Sequence, residues 1–175
     1  PGSRCGRRAL VPRHHPDKGR VSPAEFIPVA EETGQIIQIG RWVLQQACKD
    51  AKRLMKEGLL QGRMAVNLSP MQFHRPNFLA SLRQVLDEED LPASYLELEL
   101  TEGILMRDTE GAIDILNALT GMGVSTAIDD FGTVFSSFSY LREFPVRQFK
   151  IGTRFVDDIA SVSYHTVTTL PTHRG

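Results

Sequence analysis

Residues 95–130, YLELELTEGILMRDTEGAIDILNALTGMGVSTAIDD, contain one full period of the pattern that decides the fold. Tyr95 to Leu100 alternates leucine with glutamate at the period of two that a strand requires. Ala112 to Leu119 then sets Ile113, Leu116 and Leu119 at helical spacing, and Gly121-Met122-Gly123 stops the helix. Val124 to Ile128 is apolar and β-prone again. Strand, helix and strand thus recur at intervals of about thirty residues, the span of a βα unit.

The pattern extends in both directions without any repeat of sequence. Upstream, Met64 to Leu68 (MAVNL) is a short apolar strand, and Phe78 to Leu86 places Phe78, Leu79, Leu82, Val85 and Leu86 on one helical face before Leu91-Pro92 ends the unit. Downstream, Ser136 to Leu141 is expected as a short helix and Gln148 to Ile151 as a strand. Toward the N-terminus, Pro23 to Glu32 and Ile39 to Leu59 read as helices. Ser22 is N-cap of the first, with Pro23 at N1 and Glu25 at N3. The second is amphipathic and is expected to bury Trp42, Val43, Ala47 and Leu54. Alternating βα elements define an α/β chain with a parallel sheet, either open and doubly wound or closed into a barrel. A doubly wound nucleotide fold would carry a Gly-rich loop after its first strand, and none is present. Each strand instead carries its functional-looking polar residue at its C-terminal end, and the C-terminal strand ends are where barrels keep their chemistry.

The 175 residues, 41% hydrophobic and 23% charged, have the make-up of one soluble globular domain with a substantial core. A net charge of −1 argues against general nucleic-acid binding, which needs a basic face. Cys5 and Cys48 lack a second pair at zinc-like spacing and read as reduced, cytosolic thiols. No window of 18 apolar residues exists to span a membrane. The basic start leads only into Ala9-Leu10-Val11, which gives no signal peptide. This segment is therefore expected in the cytoplasm without membrane contact, alone or as the cytosolic part of a membrane-bound parent.

Five strand-end positions, Asn67, Glu99, Asp129, Asp130 and Lys150, are candidates for chemistry. Asn67 closes its strand and suits either a turn or a ligand. Glu97 and Glu99 share one strand face, which is either solvated or the lining of a barrel with Glu99 pointing inward, and Glu102 follows just beyond. Asp129 and Asp130 are adjacent carboxylates at the end of a buried strand, and they repel unless positive charge lies between them. A hard divalent cation fits, because Asp, Glu and Asn oxygens are what magnesium or manganese prefer, and a pair of such ions can hold both oxygens of a phosphodiester displacement. Lys150, in the apolar segment Phe149-Lys150-Ile151, is either a surface lysine on an edge strand or an inward charge that needs an anion. Residues 130–132 match the kinase Asp-Phe-Gly, but the kinase Gly-rich and catalytic loops are absent. His14 and His15 are adjacent and read as loop residues, and His74 and His165 have no partners at ligand spacing.

Taken together, HHPDKGRVSPAEFIPVAEETG (14–34), AVNLSPMQF (65–73), LELELTE (96–102), AIDDFGT (127–133), SSFSYLREFPV (136–146) and FKI (149–151) resemble the EAL domain family, the cyclic di-GMP phosphodiesterases of bacterial signalling. The resemblance implies a modified (β/α)8 TIM-type barrel that opens cyclic di-GMP to pGpG with two Mg2+ or Mn2+ ions. It puts Asn67, Glu99, Asp129 and Asp130 on the metal ligands, Lys150 on the lysine that positions or activates the attacking water, and Glu102 on the carboxylate that anchors the loop after Asp130. It allows a homodimer, and a GGDEF or sensor domain in a longer parent.

Departures from the pattern accompany the match. Arg8 occupies the position of the Glu in the family's Glu-Ala-Leu, exchanging attraction to a dication for repulsion worth several kcal/mol. Pro12 aligns with a phosphate-contacting arginine. Gly152 replaces an Asp, and Thr133-Val134-Phe135 replaces Thr-Gly-Tyr in the loop that couples substrate to dimerisation. A complete barrel needs about 250 residues, so residues 9–160 are expected to be about two-thirds of the domain, flanked by divergent segments at 1–8 and 161–175. Three readings follow: a phosphodiesterase impaired by these changes, a module that binds cyclic di-GMP or a protein without cleavage, and a remnant lacking a stable fold of its own.

Overall fold

The structure is a computed structural model, and it describes residues 7–8, 13–15, 19–131, 144–146 and 148–151. Among these residues five strands form a parallel sheet in the order β1 (Arg7–Arg8), β4 (Met64–Asn67), β5 (Leu96–Thr101), β6 (Ser125–Phe131) and β7 (Gln148–Ile151). A separate antiparallel pair, β2 (Arg13–His15) and β3 (Gly19–Val21), precedes the first helix. His14 and His15 therefore lie on a hairpin strand, not in a loop; the antiparallel pairing of His14 with Arg20 and of His15 with Gly19 accounts for the difference. The helices are α1 (Pro23–Glu32), α2 (Ile36–Lys56), α3 (Pro70–Phe73), α4 (Phe78–Glu89), α5 (Glu102–Met106) and α6 (Thr109–Gly121).

The register sorts the sheet into two faces. Met64–Leu96 and Val66–Leu98–Thr126 stand in register, as do Leu100 and Ile128. The apolar ones among these positions meet Leu44, Ala47, Ala51 and Leu54 of α2, Phe78, Leu82, Val85 and Leu86 of α4, and Leu116 and Leu119 of α6 in one continuous core. Successive strand residues point to opposite faces, so Ala65–Glu97–Ser125 and Asn67–Glu99–Ala127 share the other side. One face is closed by helices, and the other holds small and polar residues, as the inner wall of a barrel does.

Local chemistry sets the element ends. Ser22 caps α1 through its carbonyl, which accepts from the Glu25 amide at 3.0 Å, and its side chain makes no cap bond. The reciprocal box forms instead at α3, where the Gln72 amide donates to Ser69 Oγ and the Ser69 amide to Gln72 Oε1. Helix α2 begins a turn earlier than Ile39 and ends at Lys56 because Gly58 takes φ 68°, turning the Leu59 amide back to the Leu54 carbonyl at 2.8 Å. Trp42 is half exposed, at 51%, contrary to the sequence expectation. It lies two residues from both Gly40 and Leu44, which face the core, and two residues is about 200° around a helix. The short helix expected at Ser136 to Leu141 lies outside the described residues.

Candidate functional site

The C-terminal ends of β4, β5, β6 and β7 bring most of the predicted polar residues to one end of the inner face. Asn67 is the last residue of β4 and is exposed; Glu99 stands beside it in register on β5. Asp129, half buried, pairs with Thr101 two residues further along the same face. Asp130 follows on the β6 backbone, and Lys150 lies on β7.

β6 carries an irregularity at the aspartate pair. Ile128 pairs with Phe149 and Phe131 with Ile151, so Asp129 and Asp130 together stand opposite the single residue Lys150. Such a bulge breaks the strict alternation that would send adjacent side chains to opposite faces, and bulges recur beside active sites for that reason.

The glutamates of β5 are not solvated. Glu97 and Glu99 are 8% and 2% exposed, and both accept from the same ammonium. Lys150 Nζ donates to Glu97 Oε1 at 3.1 Å and also to Glu99 Oε1. Burial would push the Lys150 pKa down; the hydrogen bonds to Glu99 and Glu97 and the charges of both carboxylates outweigh it, and the pKa is raised. Lys150 is thus an inward charge with an anionic partner on each side. Glu97 is the residue the sequence reading left out of the site. Its signal was the two-residue spacing from Glu99, which puts both carboxylates on one face.

Glu102, 4% exposed, is the first residue of α5, immediately beyond β5. Arg8 is in β1, its backbone in register with Ala65 of β4. Gly152 lies outside the described residues, as do Cys5, Pro12, His165 and the loop at 133–135. His74 Nε2 donates to the Ile104 carbonyl at 3.1 Å, a structural contact away from the strand ends. Cys48 is a buried free thiol, its pKa pushed up to about 12 by burial and by Glu89, so it is neither nucleophile nor ligand near neutral pH. A cavity of about 230 Å3 between α2, α3 and α4, bordered by Arg41, Gln72, Arg75 and Ser81, belongs to the helical layer.

Amide and carboxylate oxygens supplied from adjacent strands suit a hard dication, and the buried glutamates already hold positive charge in the Lys150 ammonium. Among the described residues no three His, Cys, Asp or Glu side chains form a metal cluster, the Asp130 side chain lying outside them. No helix among them is long and apolar enough to cross a membrane.

A parallel βα sheet that gathers oxygen donors and a lysine at its C-terminal strand ends defines part of a β/α barrel, and those ends are where such barrels keep their chemistry. The chain belongs to the EAL domain family, whose profile matches residues 2–169. It is 47% identical over 158 residues to an uncharacterized signaling protein of Caulobacter vibrioides, covering 90% of this chain and 19% of that protein. It is 41% identical over 159 residues to the bifunctional diguanylate cyclase/cyclic di-GMP phosphodiesterase MucR of Pseudomonas aeruginosa, covering 91% of this chain and 23% of MucR. The solved structure of the PaMucR phosphodiesterase in complex with c-di-GMP superposes with a TM-score of 0.84 at 41% identity, covering 90% of this chain and 64% of that one. The chain therefore spans about a fifth to a quarter of the curated relatives' length and roughly two-thirds of the solved domain, an incomplete barrel of the EAL kind.

Proposed function

We propose that this chain is the metal-holding portion of a cyclic di-GMP phosphodiesterase domain, with hydrolysis to pGpG weakened by Arg8. The observation that carries the reading is the inner-face row of Asn67, Glu99 and Asp129, with Lys150 bound to Glu99. Asn67, Glu99, Asp129 and Asp130 are the residues that would hold Mg2+ or Mn2+. When bound, such ions supply charge neutralisation at the phosphodiester and a water made acidic enough to attack. Lys150 holds a positive charge at the same end of the sheet, where it can orient that water or meet a phosphate oxygen. Glu102, buried at the start of α5, is assigned the anchoring of the loop after Asp130. Residues 9–160 remain the barrel portion, to whose sheet β1 adds Arg7 and Arg8. A homodimer and a GGDEF or sensor domain in a longer parent belong to the same reading, as does a cytoplasmic setting, where a nucleotide messenger is met.

Arg8 favours a second reading, a module that binds cyclic di-GMP without opening it. Its strand pairs directly with β4, which carries Asn67, and an arginine in place of the family's glutamate exchanges a carboxylate for a charge that repels a dication. Incubation with cyclic di-GMP and Mn2+, followed by chromatography for pGpG and calorimetry for binding, separates the two. The first reading expects slow, metal-dependent pGpG formation that Arg8→Glu accelerates and Glu99→Gln abolishes. Tight binding without product, unchanged by Arg8→Glu, selects the second. Neither binding nor product refutes both.

A further inference from the structure

We propose that Glu97 is a positioning residue that takes over Lys150 when Glu99 turns to a dication. Glu97 stands one level deeper in the sheet than the donor row. Its register partners are Ala65 on β4 and Ser125 on β6, whereas Asn67 adjoins Glu99 and Asp129 lies beyond it. A carboxylate at that depth is poorly placed to join Asn67 and Asp129, yet it is buried and accepts from Lys150 Nζ at 3.1 Å.

The same ammonium also bonds Glu99. A dication that recruits Glu99 must exchange places with that ammonium. Lys150 is only 29% exposed, and a part-buried cation stripped of its counter-charge is costly. Glu97 removes the cost: Lys150 keeps a carboxylate partner already in contact and need not travel. Glu99 is thereby free to change partner while the site's charge stays matched. Lys150 and the dication compete for Glu99, and Glu97 sets the terms of the exchange. This rests on the reading that a dication binds Glu99.

The test is a double-mutant cycle read by Mn2+ affinity, measured on the full chain by electron paramagnetic resonance without substrate. Glu97→Gln weakens Mn2+ binding about tenfold, because Lys150 then clings to Glu99 alone. Lys150→Met tightens it about tenfold by removing the competitor. The two effects are coupled: in the Lys150→Met background, Glu97→Gln changes affinity by no more than about twofold. Glu97→Asp keeps the charge and stays near wild type. A residue that merely supported the fold would weaken binding in both backgrounds alike. Thermal unfolding of each variant accompanies the cycle, and Lys150→Gln repeats the comparison if Lys150→Met does not fold. Equal loss in both backgrounds, with Mn2+ bound by the wild type, overturns the role of Glu97 alone. A wild type that takes up no Mn2+ overturns the metal reading and this role with it.

Discussion

Replacing Lys150 by Met should cost the fold about 3 kcal/mol, because it withdraws the ammonium that Glu97 and Glu99 share. The two carboxylates are two residues apart on one strand, roughly 7 Å along its axis. At that distance their repulsion is about 2 kcal/mol at an effective dielectric constant near 20. In the wild type Lys150 offsets this and also donates to each of them. Removing one partner of a buried pair costs about 3–5 kcal/mol, and the partial exposure of Lys150 puts this case at the lower end. Urea unfolding measures the loss as a shifted midpoint at constant slope; a thermal scan should show a drop of about 6–12 °C. The pH dependence has a definite sign. The folded pKa of Lys150 is raised above its ordinary 10.5, so the wild-type contribution is complete below pH 10.5 and is lost only as pH rises through the higher folded value. The gap between wild type and variant should accordingly stay constant from neutral pH to about 10.5 and close above it. A loss under about 1 kcal/mol, the range of a surface pair, would refute the buried bridge.

Cys48 should resist alkylation at pH 8 in the native state and react on unfolding, as site-resolved mass spectrometry can establish; the thiol's pKa, raised from 9.0 to about 12, adds stability that is present below pH 9 and lost as pH climbs toward 12. Gly40→Ala should destabilise by about 1–3 kcal/mol in urea, because a Cβ there overlaps the buried Gln72 amide that completes the α3 capping box. Leu98→Ala should cost about 2–5 kcal/mol, since this fully buried side chain lies between β5 and the helices. Arg8→Glu should tighten Mn2+ binding and leave the urea midpoint within about 0.5 kcal/mol of wild type; unchanged Mn2+ affinity would remove Arg8 as the impediment.

Much of the fold was legible because the strands are short and the face that β4 and β5 bury is apolar throughout. Leu96, Leu98 and Leu100 could belong only to a strand with an apolar side, and their core partners at Leu82, Val85, Leu116 and Leu119 kept helical spacing. What the alternation could not reveal was the environment of the other face. Glutamates at positions 97 and 99 read equally as solvated or enclosed, and only the arrival of β7 beside β6 decides that they meet a lysine, 53 and 51 residues along. The same long-range dependence hid Trp42, whose exposure follows from which side of α2 meets the sheet. The strand at Arg7–Arg8 was illegible for a different reason: two arginines have no β signature, and pairing with β4 alone makes them a strand.

The adjacent aspartates posed the sharpest physical problem in the sequence, since a regular strand would turn them to opposite faces, one of them into the aliphatic core. The fold answers at the backbone. β6 gains a residue at Asp129–Asp130 relative to β7, and the residue standing opposite that gain is Lys150. Lys150 is also the residue that reaches the two buried glutamates of β5. One lysine of β7 thus stands against the acidic residues of two strands, β5 and β6, and its side of the sheet is set ahead of the bulge. Gln148 and Phe149 are in register with Ala127 and Ile128, which puts Lys150 on the inner face; the extra residue of β6 shifts only the pairing that follows, Phe131 with Ile151. A deletion of one aspartate that restored regular pairing should leave Lys150 opposite the remaining aspartate and still bonded to Glu97 and Glu99. The bridge's contribution to the urea midpoint should therefore survive the deletion, as it should in Asp129→Asn, and its loss would refute the register argument.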